Sequence, residues 1–154
     1  MQPRRKDQLI ISIVDFDAAR TDELVRLWRD SFEFGVGVVD PHPIAEQREF
    51  FVNTVVPDNS IRIALLDGKL VGFIAATNES ITHLYVHVGH HRRGIGTQLL
   101  DWAKFQSNGR LWLHAFARNA IACAFYERHG FKLLARGFEP NWQLADIKYE
   151  WTAN

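Results

Sequence analysis

The chain has 154 residues, 47 % apolar and 23 % charged, the profile of one ordinary globular domain with enough apolar surface for a core. Lysine plus arginine number 18 and aspartate plus glutamate 18, so the net charge is zero and the basic excess of a nucleic-acid binder is missing. A single cysteine, Cys123, excludes an intrachain disulfide and a cysteine metal cage, and no apolar run approaches the ~20 residues of a membrane span.

The opening MQPRRKDQLIISIVDFD reads as a flexible tail over residues 1–7 entering a strand, LIISIVDF. Asp15 and Asp17 interrupt the apolar run, so it does not read as a signal peptide. Leu24, Leu27, Trp28, Ser31 and Phe32 fall at helical spacing and predict a helix over 21–34 with Thr21 as its cap. GVGVVDPHP is a break, and a second helix is expected over 44–56, ended by PDNS. IRIALLDGKLVGFIAAT reads as two strands around Asp67-Gly68, a strong hairpin signal because both central positions take positive φ. ITHLYVHV (81–88) is a strand, a helix opens near Gly94, and RLWLHAFA (110–117) is a strand. A helix over 119–129 stops at Gly130, and FKLLARGF and ADIKYEWT are the last strands. The order predicts an α/β (α+β) fold, a mixed sheet with helices on its faces, and a β-α-β crossover within 81–136. The whole of 1–154 is expected to be one domain.

HHRRGIGTQLL, from residue 90, admits three readings. A dinucleotide fingerprint needs a third glycine where Leu99 stands, and a triphosphate loop needs a lysine that Gly96-Thr97-Gln98 lacks. A metal held by His87, His90 and His91 has no carboxylate or cysteine nearby and has arginines beside it. An anion cradle fits better: a strand ends, glycines let the backbone curl, and the first N–H groups of a helix are unpaired at its positive end, with Arg92 and Arg93 adjacent. A plain helix start with glycines for the turn is the bland alternative.

LYVHVGHHRRGIGTQLL resembles motif A of the GNAT superfamily of N-acyltransferases, in which Gln/Arg-x-x-Gly-x-Gly/Ala follows a strand and opens a helix. Gly94 and Gly96 take the two small positions. His91 stands where the family usually has glutamine or arginine, and Val88 where many members have proline. A second stretch, ARNAIACAFYERHGF, resembles the family's Asn-x-x-Ala-x-x-Phe-Tyr-Glu-x-x-Gly-Phe through Asn119, Ala122, Phe125, Tyr126, Glu127, Gly130 and Phe131. The resemblance covers about residues 60–136.

It implies a GNAT-like, mostly antiparallel twisted sheet of six to seven strands flanked by four helices. It also implies acetyl-CoA as co-substrate, transferring its acetyl group to a primary amine by direct attack in a ternary complex. The pyrophosphate would lie on the backbone of His91, Arg92, Arg93, Gly94, Ile95, Gly96 and Thr97. The pantetheine arm would pair with the backbone of Tyr85, Val86 and Val88 like an added strand. Tyr126 would be the general acid for the leaving sulfur, and Asn119, two helical turns earlier on the same face, would also meet the cofactor. Taken alone, Tyr126 also suits a core aromatic and Asn119 a helix cap.

The base is open between Glu79, in the turn before the strand, and His83 within it, whose ordinary pKa suits the task; Glu79 also suits a solvated turn. Cys123 reads as a small buried residue. Trp28, Phe32, Phe34 and Phe50 read as core or as the wall of an acceptor pocket. The alternative function is a non-catalytic acyl-CoA-binding sensor, and a third is a histidine metal module. The expected setting is cytoplasmic, with no nucleic-acid or membrane partner, no resident metal, an unidentified amine acceptor and, as often in this family, a homodimer.

Overall fold

The computed structural model describes residues 10–154; the expected tail at 1–7 lies outside them. Strand β1 (Ile11–Asp15) leads through a 3₁₀ turn into helix α1 (Thr21–Val36). Thr21 is the first helical residue rather than the cap. Its hydroxyl donates to Ala18 O at 2.7 Å, while Asp17 accepts from the Ala19 N–H at 2.9 Å and starts the turn. The helix runs past Phe34 and stops where Gly37 turns left-handed, φ 77°, its N–H bonding Glu33 O. Helix α2 (Ile44–Phe50) continues through a π-helical turn (Phe51–Val55) and a last helical turn (Val56–Asp58).

Strands β2 (Ser60–Leu66) and β3 (Lys69–Ala76) form the expected hairpin, with Asp67 at φ 50° and Gly68 at φ 78°. Strand β4 (Ile81–Val86) ends earlier than its sequence suggests because Val88–His90 curl into a 3₁₀ turn, where His87 Nδ1 accepts from the Gly89 N–H at 3.0 Å. Helix α3 (Ile95–Gln106), β5 (Arg110–Phe116), α4 (Ala120–Arg128), β6 (Lys132–Glu139) and β7 (Leu144–Thr152) complete the chain.

The strands form two antiparallel sheets, β1-β2-β3-β4 and β5-β7-β6. They meet through one parallel bridge, Ser80–Trp112, beside a bond from the Trp112 N–H to Glu79 O at 3.0 Å. The cause lies in β4. Ala75 opposes His83 and Ala76 opposes Ile81, which leaves Thr82 as an extra residue. Such a bulge bends its strand and ends pairing. Beyond it β4 and β5 part, and the expected crossover survives as β4–α3–β5 with a single parallel bridge.

Two apolar clusters hold this frame. One joins Leu24, Val25 and Leu27 of α1 to Phe51 and to Phe73 of β3. The other lies under α3 and α4, from Val71 and Ile74 through Leu99 and Leu100 to Leu111, Leu113 and Tyr149, so it spans both sheets and bridges the gap. Each large apolar side chain buried this way contributes about 1.5–3 kcal/mol.

Candidate active site

The gap opens into a cleft of about 820 Å³ between the free edge of β4, the start of α3, the length of α4 and the end of α1. The edge itself follows from antiparallel pairing. The His87 N–H bonds Val71 O at 2.8 Å, so by alternation Tyr85, opposite Phe73, shares its backbone groups with β3. Leu84 and Val86 turn theirs toward the gap. Of the three residues expected to pair with an added strand, Val86 is placed to do so. The Tyr85 backbone belongs to the ladder, and Val88 lies in the 3₁₀ turn. Leu84 takes the second place.

The two motif glycines do different things. Gly94 is left-handed, φ 78°, and a Cβ added there would meet nothing within 4 Å, so the backbone is bare toward the cleft. The Gln98 N–H makes the first helical bond, to Gly94 O at 3.0 Å. The N–H groups of Ile95, Gly96 and Thr97 are therefore free for an anion, and no side chain caps them. A Cβ on Gly96, in contrast, would sit 3.2 Å from the Phe125 ring. Gly96 is a close-packing point between α3 and α4. The Ile95 side chain is buried beneath the loop, against Gly72.

Cationic groups surround this helix start. Arg92, itself at φ 66°, and Arg128 line the cleft, whose walls carry no aspartate or glutamate among the described residues. Arg93 lies beside His90, whose pKa is lowered by burial and by the charges of His87, Arg93 and Lys69. The histidines do not converge. His91 Nε2 donates to Val86 O at 3.1 Å, His87 Nδ1 is taken by Gly89, and the His87 and His90 rings stand 5.2 Å apart. Among the described residues no three His, Cys, Asp or Glu side chains gather as metal ligands.

Tyr126 and Asn119 reach the same cleft from α4. Asn119 caps that helix, its Oδ1 accepting from the Ala122 N–H at 3.1 Å. The Tyr126 ring packs against Phe125, Phe131 and Tyr149 at 5.4–6.2 Å. Burial, then the neighbouring Tyr85 and Cys123, drives its pKa well above the ordinary tyrosine value. Thr97 is tied to α4 as well. His129 Nδ1 donates to Phe125 O, 2.7 Å away, and its Nε2 pairs with the Thr97 hydroxyl at 3.0 Å.

The two candidate bases are separated from each other. Glu79 is exposed in the Thr77–Ser80 turn at the far end of β4, roughly 20 Å of strand from Tyr85, and does not line the cleft. His83 sits behind Tyr85 on the α1 side, its ring edge-on to Trp28 at 4.7 Å and near Phe73 at 6.4 Å. Burial there lowers its pKa to about 4. Tyr85 is raised to about 12, again by burial, with the Trp28 indole N–H working in the opposite sense.

A family model described as the acetyltransferase (GNAT) family matches residues 21–131. The chain belongs to the GNAT acetyltransferase family. A mycothiol acetyltransferase of Corynebacterium glutamicum is 45 % identical over 62 residues, 40 % of this chain, but the match spans only about a fifth (20 %) of that relative's length. A peptidyl-lysine N-acetyltransferase of Salmonella typhimurium, YjaB, is 28 % identical over 116 residues, 75 % of this chain and 79 % of the relative. The crystal structure of PaiA N-acetyltransferase from Thermoplasma acidophilum in complex with coenzyme A shares the fold, with a TM-score of 0.74 at 20 % identity over 93 % of this chain and 99 % of that one.

Several residues of this GNAT cleft escape a reading of the motifs. Ser31 on α1 donates its hydroxyl to Val86 O at 3.1 Å across 55 positions, so no local pattern announces it. Gly35 read as part of a break. It lies instead inside α1, where a Cβ would sit 2.6 Å from Asn119 Nδ2. Its absence lets α1 approach the cap of α4. No helix among the described residues is long and apolar enough to cross a membrane.

Proposed function

We propose that this protein is an N-acetyltransferase that moves an acetyl group from acetyl-CoA to a primary amine in a ternary complex. One observation carries the reading. The same cleft joins an anion cradle, made by the bare left-handed Gly94 and the free N–H groups of α3, to a free strand edge and to Tyr126. The pyrophosphate fits the helix start, with Arg92 and Arg128 as charged flanks. The pantetheine amides fit the Leu84–Val86 edge as an added strand.

The amine nitrogen then attacks the thioester carbonyl carbon; the new C–N bond forms as the C–S bond breaks. A backbone N–H on the open edge can donate to the carbonyl oxygen as charge develops there. Burial keeps Tyr126 protonated and also makes it a reluctant acid. Its part is to donate a hydrogen bond to the sulfur, completing transfer as the proton shed by the amine replaces its own. The relative named for peptidyl-lysine supports an amine acceptor.

Calorimetry with acetyl-CoA, followed by thiol release with a panel of amines, tests this. Binding plus amine-dependent thiol release is the expected outcome. Tight binding with no release by any amine would favour a non-catalytic acyl-CoA sensor, and no binding by the folded protein would remove both readings.

A further inference from the structure

Strand β6 ends the β5-β7-β6 sheet, and among the described residues no other strand pairs with its outer edge. Every residue of it except Glu139 is exposed. Leu133, Leu134 and Phe138 are 45, 53 and 63 % exposed, three large apolar side chains on one short strand. An unpaired strand this apolar is a ready template for another strand. The edge of β4 differs, since its Val86 O already accepts from Ser31 and His91.

The register shows which backbone groups of β6 are free. The Ala117 N–H bonds Ala145 O at 2.9 Å, so Ala145 turns its groups toward β5, and by alternation Ile147 and Tyr149 do the same. Their partners on β6 are Phe138, Arg136 and Leu133. These three residues therefore point their N–H and C=O groups away from β7, into the open. Their side chains share one face of the sheet with Tyr149 and Ile147.

Counted by rungs, the strand matches its own reverse. Leu134 falls between rungs, so the ladder from Lys132 to Glu139 has seven positions and Arg136 is the middle one. Lys132 and Glu139 stand at the two ends with opposite charges. Leu133 and Phe138 come next, both large and apolar. Ala135 and Gly137, both small, flank the centre.

We propose that β6 pairs antiparallel with β6 of a second copy of this chain, about a two-fold axis through Arg136, joining two three-stranded sheets into one of six strands. Lys132 then stands opposite Glu139 of the partner subunit, and Leu133 opposite Phe138 of the partner subunit. The same two contacts recur across the axis, as a self-complementary interface requires. The outward-facing residues of each strand exchange backbone bonds with those of the other. The register is specific. A slip of one rung sets a residue committed to β7 against an outward-facing one, and a slip of two loses both end charge pairs. The one discordant pair is Arg136 with its own copy, like charges directly opposite. The pairing is independent of what the cleft binds.

Sedimentation velocity of the full chain at micromolar concentration tests this, together with cross-linking. Wild type is expected to be a dimer. Arg136→Pro removes an N–H that the β7 ladder does not use, and an edge strand tolerates proline with that side outward. It should sediment as a monomer with the circular dichroism of wild type. Arg136→Val removes the like-charge pair and should lower the dimer Kd several-fold. In a Cys123→Ala background, Arg136→Cys sets two thiols across the axis on Cα atoms about 5.5 Å apart, within reach of a disulfide. Oxidised glutathione should then cross-link the chains. Lys132→Cys, with its two copies roughly 20 Å apart, should not cross-link. A monomeric wild type, a folded Arg136→Pro that stays dimeric, or equal cross-linking at 136 and 132 overturns the proposal. If Arg136→Pro fails to fold, the two cysteine variants decide.

Discussion

Toward α3, the cleft presents backbone: the bare Gly94, the unpaired N–H groups of Ile95, Gly96 and Thr97, and the open edge of Leu84 and Val86. Toward α1, it presents side chains gathered from distant positions, among them Ser31, Phe34 and Tyr85. On the proposed function the first side recognises what every acyl-CoA carries, phosphates and amides, and needs little but chain geometry. On the same reading the second side meets the amine, and its character can change by single substitutions without disturbing the cradle. A protein built this way keeps its donor and is free to vary its acceptor.

The largest expected effect comes from breaking the backbone side with charge. Gly94→Asp places a carboxylate where the pyrophosphate is expected, and like charges in contact cost several kcal/mol. Acetyl-CoA affinity measured by calorimetry should fall by about 100-fold or more. Asp tolerates a left-handed backbone better than most residues, so circular dichroism should show a folded protein; unchanged affinity would place the phosphates elsewhere.

Tyr126→Phe keeps the packing against Phe125, Phe131 and Tyr149 and removes only the hydroxyl. Because acid catalysis of this kind contributes about 10²–10⁴-fold, kcat should drop about 100-fold with acetyl-CoA binding nearly untouched. A change confined to affinity would assign the hydroxyl to binding instead.

Gly96→Ala sharpens the distinction between the two glycines. The new methyl must displace the Phe125 ring 3.2 Å away, and overpacking of this kind costs about 1–3 kcal/mol. The urea midpoint should fall, and the double variant with Phe125→Leu should recover most of it. If Gly96→Ala weakened acetyl-CoA binding without loss of stability, Gly96 would be a ligand contact and not a packing point.

The smallest effect concerns the side-chain wall and is spread over pH. His83 is neutral when folded, its pKa lowered from 6.5 to about 4, while in the unfolded chain it gains a proton below about 6.5. Its neutral burial therefore adds full stability above pH 6.5, and that contribution is lost as pH falls toward 4. The slope from this group is at most about 1.4 kcal/mol per pH unit. In His83→Phe the acid-side slope of stability should flatten by about one proton; an identical slope would show that the ring is freely solvated.

The sequence carried the backbone side well, because its signals are local. Asp67-Gly68 announces a hairpin through positive φ, and Gly94 announces a bare curl before a helix. The same spacing misleads at Gly96, since a glycine that admits Phe125 looks no different from one that admits a phosphate. The Thr82 bulge is hidden because one extra residue leaves ITHLYVHV reading as ordinary strand, and with it goes the division into two sheets. Which backbone groups of β4 are free depends on its register with β3, and nothing in the sequence sets Leu84 apart from Tyr85 in this respect. The side-chain wall is the least legible part. Ser31 meets Val86 across 55 positions, and nothing in either neighbourhood marks the other.

That meeting protects the fold from itself. An open strand edge invites any other strand to pair with it, and such invasion is a route to aggregation. On this edge the Val86 carbonyl is already taken twice, by the Ser31 hydroxyl and by His91 Nε2, each at 3.1 Å. An invading strand would need to give as well as take along the edge, and at Val86 its donor would find no acceptor. A guest that reaches this position with an acceptor group alone loses nothing, so the edge refuses its own kind while staying open to a small amide.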